Sequence, residues 1–503
     1  MSAAMRAVRR ASRIAVIVGV ATGTSMAVPA EATAQELSLT DATIADLNRA
    51  FDAGTLSAEA LVEMYLARID AYDQRGPALN TVLWLNEEAL ERARALDAER
   101  ASTGPRSSLH GIPVVLKDNV DTSDMPTTAG SLLLAGSVPP DDAFLVRRLR
   151  DAGAIILAKV NMSEFASGPT MSSIGGWIRN PHDVEHSPSG SSGGTGAAIA
   201  ASFGQLGIGT DTGGSVRGPS TSNGIAGLKP TLGLVSRDGI IPLALSFDTG
   251  GPMARSVYDV AAMLNVIAAS DRADPATAPA DARRPVDYLA SLDTAALAGA
   301  RIGVARQFMG GDQEVDWIVE SALETMEEAG ATLVDVHLPQ WLIDAKGVWY
   351  TTIRWREFRD QIPDYLATLA PGYPQTLEEL VARSREVVAP TGDGGHPNPS
   401  RWSLFVDEEA SGLLTDHEYV AMKEHGLPLV RTLLDGLMES RELDAIVYPT
   451  SPTRPSPVSG GGSGGNAPSA TNLANLTGFP DLIVPAGFTS DGLPVGISFF
   501  GPA

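Results

Sequence analysis

Between residues 187 and 229 the chain reads SPSGSSGGTGAAIAASFGQLGIGTDTGGSVRGPSTSNGIAGLK, a segment built to present serines on tight turns. Two glycine-rich turns, residues 189–196 and 209–218, flank a run of small residues suited to a helix packed closely beneath a sheet. Glycine allows successive backbone N–H groups to converge on one point, which is how an oxyanion is stabilised, and Thr212, Gly213, Gly214 and Ser215 stand in the right order to do it. Other readings compete. A phosphate cradle lacks the Lys-Ser/Thr pair that closes a P-loop. A G-x-S-x-G elbow over residues 190–194 makes Ser192 the nucleophile, with His337, His396, His417 or His425 as base, but leaves the second glycine turn without a purpose. A flexible low-complexity loop sits poorly with the Ala/Ile-rich helix that joins the two turns.

Strands and helices must hold these turns. Leu61, Tyr65 and Ile69, with Val62 and Leu66, recur at helical spacing and predict an N-terminal helical layer. A charged second helix is expected over residues 87–100. Short apolar runs at 112–116, 154–157 and 206–208, separated by helical patterns such as 143–150, alternate as in an α/β sheet. Stretches rich in Pro, Gly and Ser at 271–285, 389–400 and 451–469 read as long surface loops, since strand-like material resumes at 482–485 and 495–500. No repeat of fixed period is present.

Composition narrows the function. With 503 residues, 44% hydrophobic and 19% charged, the chain can bury a large core. A net charge of −23 disfavours nucleic acid and anionic lipid as partners. The absence of cysteine excludes thiol catalysis and thiolate metal sites. His182 and His186 stand four apart between prolines and are not expected to hold a metal; no cofactor is expected. Residues 1–34 form a secretory signal pattern: Arg6, Arg9, Arg10 and Arg13 precede a short apolar stretch at 14–20, and cleavage is expected near Ala30 or Ala34. The apolar stretch is too short to span a bilayer, so the expectation is an exported protein, periplasmic or secreted, without a membrane span once mature.

Several long motifs, in order, resemble the amidase-signature family. They are HGIPVVLKDNVD (residues 110–121), GSSGG (190–194), GTDTGGSVRGPS (209–220), GIAGLKPT (224–231) and NLTGFPDLIVPAGFTSDGLPVGISFFG (475–501). Matching stretches cover about 60–260 and 445–502. The resemblance implies a single large α/β domain over residues 35–503, a central mixed sheet with helices on both sides, and a Ser-cisSer-Lys amidase. Carried over residue by residue, Ser215 matches the nucleophile, Ser191 the bridging serine that follows a cis peptide bond, and Lys117 the base. The backbone of Thr212, Gly213, Gly214 and Ser215 matches the oxyanion hole; Ser192, Asp211 and Arg217 match supporting positions. One departure is Ser189-Gly190, where the common pattern has two glycines.

A serine hydroxyl needs a base, and Lys117 serves only when neutral, so its site must lower its pKa. By itself the residue reads rather as an exposed loop cation paired with Asp118, the usual fate of lysine, and only the resemblance reverses that. The stretches at 146–166 and 231–257 look closest to exported bacterial amidases of the peptide-amidase type, which implies a peptide C-terminal amide, or a small aryl or aliphatic amide, as substrate. Esters and carbamates fit the same oxyanion hole. A tRNA-dependent amidotransferase glutaminase subunit shares the motifs, but works in a cytoplasmic complex, which the leader argues against. The motif-free region at about 340–402, with Trp349, Tyr350, Trp355, Phe358 and Tyr365, is expected to form either a variable substrate wall or helix core. Family members usually run several dozen residues past the last motif, so truncation at the C-terminus is also an expectation.

Overall fold

The computed structural model describes residues 38–387, 396–458 and 469–502. The signal pattern at 1–34 lies outside the described residues, as do parts of the expected loops at 389–400 and 451–469. Eleven strands form one mixed sheet: β1 Val82–Leu85, β2 Pro113–Lys117, β3 Ile155–Val160, β4 Leu206–Asp211, β5 Ala226–Lys229, β6 Thr249–Ala254, β7 Arg301–Val304, β8 Thr332–Asp335, β9 Ala445–Pro449, β10 Asp481–Phe488 and β11 Pro494–Phe500. Their order across the sheet is β1-β3-β2-β4-β6-β5-β10-β11-β9-β7-β8.

Two adjacent parallel strands place the site. β2 pairs with β4 through Val114↔Leu206, Val115↔Gly207 and Leu116↔Ile208, so Lys117 and Asp211, their last residues, emerge at the same carboxyl edge. That edge is where open α/β sheets bind ligands. Helices cover both faces. On one, Gly207 faces Thr195 and Ile199 of the helix Gly193–Ala200; on the other, Gly250 of β6 faces Leu145 of the helix Phe144–Asp151. The first helix sits so close to the sheet that a Cβ on Gly194 would lie 2.0 Å from the Asn161 carbonyl oxygen, so only glycine fits there.

The helix Ala58–Tyr72, which follows the helix Ile44–Asp52 in the chain, buries Leu61, Val62, Tyr65 and Ile69, a stripe worth about 1.5–3 kcal/mol per large side chain. The Ser57 hydroxyl caps it by accepting the Ala60 N–H at 3.0 Å. The charged helix runs over Ala89–Thr103, two residues later than the charge pattern suggests, and buries Ala89, Ala93 and Leu96. No helix among the described residues is long and apolar enough to cross a membrane.

Candidate active site

Lys117 is fully buried. Its Nζ lies 2.7 Å from Ser191 Oγ, 2.7 Å from Thr210 Oγ1 and 3.3 Å from the Thr210 carbonyl oxygen. Asp118 is not its partner: that carboxylate accepts the N–H groups of Thr128 and Gly130 and pairs with Lys159 at 3.6 Å. The reading of Lys117 as an exposed, Asp118-paired cation is therefore corrected by the geometry. Burial lowers the Lys117 ammonium from its ordinary value to about 7, against the pull of Asp211 and Asp248, which favour the charged form. A neutral amine has two N–H groups and one lone pair. Here two acceptors on Thr210 take the donors, which leaves the lone pair for the Ser191 hydroxyl.

Ser191 follows a cis peptide bond to Gly190, and its carbonyl accepts the Ser163 N–H at 3.0 Å. Ser192 is fully buried and committed to the backbone: its hydroxyl lies 3.2 Å from both the N and the O of Thr210. Its own N–H donates to the Ser215 carbonyl at 3.2 Å, so the residue ties the two glycine turns together. His337, His396, His417 and His425 all lie exposed and none bonds the Ser192 hydroxyl among the described residues, which leaves the elbow reading without a base on that serine. His182 bonds the Asn223 carbonyl and His186 pairs with Asp183.

The second turn is organised by Asp211. One carboxylate oxygen accepts the Gly214 N–H at 2.8 Å and the other the Val216 N–H at 3.0 Å, so the side chain straddles Ser215. Of the four expected oxyanion donors, Gly214 is thus already engaged, whereas the N–H groups of Thr212, Gly213 and Ser215 have no acceptor among the described residues. The half-buried Ser215 makes no side-chain hydrogen bond to Ser191 or Lys117 among the described residues; the structure joins Ser191 to Lys117 and ties Ser215 to their turn through the Ser192 N–H. The Thr212 side chain points elsewhere, donating to Asp248 at 2.5 Å. Burial pushes Asp248 up to about 6 despite that hydrogen bond.

Arg217 closes a buried network. It donates to Asp211 at 3.2 and 3.3 Å, to Asp481 of β10 at 3.1 Å and to Asn475, while Asn475 donates back to Asp211 at 2.9 Å. Burial alone would raise Asp211, but the guanidinium and these hydrogen bonds outweigh it and hold the carboxyl well below its usual range. Thr210, Asn475 and Asp481 escaped the sequence reading as site residues. Thr210 and Asp481 lie inside the family motifs, yet their types alone gave no signal of a role.

Of the aromatics expected to form wall or core, Tyr350 belongs to the site. A Cβ on Gly213 would lie 2.4 Å from its hydroxyl, and its ring stacks on Phe247 with centroids 5.5 Å apart. Burial pushes its phenol up to about 12, so it stays protonated. Phe358 is core, packed with Phe165 and Phe405, and Tyr365 is tied to Asp121 at 2.8 Å. A cavity of about 210 Å³ lies against both turns, bordered by Gly190, Gly213, Gly214, Arg217, Tyr448 and Asp481.

A buried lysine on a serine hydroxyl, on a mixed eleven-stranded sheet with glycine turns at its carboxyl edge, is the arrangement of an amidase acting on C–N bonds. A sequence profile of the family described as Amidase matches residues 60–503, and the chain belongs to that family. It is 41% identical over 480 residues to a glutamyl-tRNA(Gln) amidotransferase subunit from Myxococcus xanthus (strain DK1622), covering 92% of this chain and 94% of the relative. Among solved structures it is similar to native peptide amidase from Stenotrophomonas maltophilia, with a TM-score of 0.82 and 39% identity over 92% of this chain and 93% of that one. It is likewise similar to an amidase family protein from Bacillus anthracis str. Ames, with a TM-score of 0.81 and 32% identity over 92% and 88% of the two chains.

Proposed function

We propose that this amidase hydrolyses a carboxamide through an acyl-enzyme on Ser215, with a peptide C-terminal amide or a small aryl or aliphatic amide as substrate. The observation that carries the reading is Lys117: buried, without a carboxylate partner among the described residues, and 2.7 Å from the Ser191 hydroxyl. In the forward step Ser215 Oγ attacks the carbonyl carbon, its proton passes to Ser191, and the Ser191 proton passes to Lys117 Nζ. The N–H groups of Gly213 and Ser215 receive the oxyanion. The relay then runs backwards, protonating the leaving nitrogen as the C–N bond breaks. Water enters by the same relay and releases the carboxylate. Ester and carbamate substrates remain alternatives on the same groups, because the hole binds the tetrahedral oxygen and not the leaving atom.

A second reading, a glutaminase acting inside an amidotransferase, draws on the 41% identity to the Myxococcus xanthus amidotransferase chain. Likeness to peptide amidase in structure, and the leader expected at 1–34, favour the first. The leader also carries the proposal that the mature protein works outside the cytoplasm. Hydrolysis by the isolated chain of a peptide amide, an anilide, an ester, a carbamate and glutamine separates these readings. Turnover of the peptide amide supports the first; turnover of glutamine alone, raised by amidotransferase partner subunits, replaces it with the second.

A further inference from the structure

Asp211 fixes the oxyanion turn, and Arg217 fixes Asp211; what fixes Arg217 comes from the far end of the chain. Its Nη1 donates to Asp481 Oδ2 at 3.1 Å, and the same oxygen accepts the Tyr448 hydroxyl of β9 at 2.9 Å. All four side chains are buried, Asp211 and Asp481 completely. Lys229, the neighbouring cation, does not compete for Asp481: its Nζ donates to the carbonyls of Pro230 and Phe479, each at 2.9 Å. One guanidinium thus stands between two carboxylates. The one on β4 holds the N–H groups on either side of Ser215, and the one on β10 holds the guanidinium from behind. The network also borders the cavity against the Gly213-Gly214 backbone, so it lies beside the reacting region.

We infer that Asp481 is a positioning residue for amide hydrolysis, acting through Arg217 and Asp211 on the Gly213–Ser215 turn without touching substrate. The inference rests on the acyl-enzyme reading above. An oxyanion hole works because its donors are fixed before charge develops, so a turn that relaxes by a fraction of an ångström loses stabilisation in the transition state more than in the bound ground state. Asp481 anchors that turn to the middle of the sheet, and Tyr448 anchors Asp481.

The test uses Asp481→Asn, which keeps the side-chain shape and an acceptor for Arg217 but removes the charge, and Tyr448→Phe, which removes the hydroxyl on Asp481. Each is assayed on a peptide amide for kcat and KM, and for inhibition by a peptide aldehyde, whose adduct with Ser215 carries an oxyanion, and by the matching peptide alcohol, which forms none. Asp481→Asn is expected to lower kcat about 10- to 100-fold and to weaken the aldehyde by a similar factor, with KM and alcohol inhibition within about threefold. Tyr448→Phe should show the same pattern at about 3- to 10-fold. Unchanged kcat in Asp481→Asn overturns the inference. So does an equal loss of alcohol and aldehyde binding, which marks general collapse of the site. If Asp481→Asn does not fold, Tyr448→Phe decides: aldehyde-selective loss supports the inference and unchanged kcat overturns it. Wild-type protein that turns over no amide refutes the acyl-enzyme reading instead.

Discussion

Replacing Lys117 tests the mechanism where it is least ordinary. Its amine is lowered from 10.5 to about 7, with burial as the main cause. At pH 7 an amine with the ordinary value would be neutral in about one molecule in 3,000, whereas here about half are, a gain of about 10³ in usable base. Activity should therefore rise about tenfold per pH unit below 7 and level above it. Lys117→Met should lose about 10²- to 10⁴-fold in kcat while still folding. Lys117→Arg should not recover it, because a guanidinium keeps its proton at any working pH.

Stability gives an independent readout. Between pH 7 and 10.5 the unfolded chain holds a proton on Lys117 that the folded chain has released, so this residue's contribution to stability rises with pH across that window. The full span corresponds to about 5 kcal/mol, and the interval from pH 7 to 9 to about 2–3 kcal/mol. Lys229 is also lowered to about 7 by burial and adds its own slope, so the quantity to measure is wild type minus Lys117→Met, by urea unfolding at each pH. That difference should climb with pH. A flat difference, or full activity in Lys117→Arg, refutes the neutral-base argument.

Ser215→Ala should abolish turnover, while Ser192→Ala should keep measurable activity, since the Ser192 hydroxyl only bonds the Thr210 backbone; fluorophosphonate labelling followed by peptide mapping should find the label on Ser215, and label on Ser192 would reverse the assignment. Tyr350→Phe keeps the stack on Phe247 but removes the hydroxyl next to Gly213, so kcat/KM for a peptide amide should fall by about tenfold, as for one lost hydrogen bond to bound substrate; an unchanged value would make Tyr350 packing only. Gly194→Ala puts a methyl 2.0 Å from a backbone oxygen and should cost about 3 kcal/mol or more in thermal or urea unfolding, through displacement of the helix that carries Ser192; a loss below about 1 kcal/mol would mean that the helix shifts freely.

Much of the fold was legible because its signals are local. Apolar runs near glycine and proline marked β2, β3, β4, β10 and β11 to within a few residues. Edge and peripheral strands such as Val82–Leu85 and Thr332–Asp335 are short and only half-buried, so they show neither a clean alternation nor a continuous apolar run. At the site, motif resemblance singled out Lys117, Ser191 and Ser215, and the structure sets Lys117 Nζ on the Ser191 hydroxyl. Thr210, Asp248, Asn475 and Asp481 were not, because their roles depend on which oxygen meets which N–H across separations of up to 264 residues. The engagement of Gly214 by Asp211 likewise could not be read from a string in which all four turn residues carry the same N–H.

The buried cations of this fold show why a lowered pKa does not by itself make a base. Lys159 is as buried as Lys117, but Asp118 stands 3.6 Å away and the hydroxyl at 2.7 Å is that of Thr127, which belongs to neither serine turn. Lys229 is lowered to about 7, like Lys117, yet its Nζ meets two carbonyl oxygens, which can accept a hydrogen bond but have no proton to give. Arg217 is held charged by two carboxylates, which oppose and outweigh its burial. Lys117 alone among these four combines burial, no carboxylate in contact and a hydroxyl 2.7 Å away on a turn tied to a second serine. The difference comes from what ends the neighbouring strand: β4 presents Thr210 to the amine and turns Asp211 away toward Gly214, Val216 and Arg217. A carboxylate turned inward at that position would keep Lys117 charged and stop the proposed relay, so the arrangement that ties Asp211 into the second turn also leaves Lys117 Nζ without a carboxylate in contact.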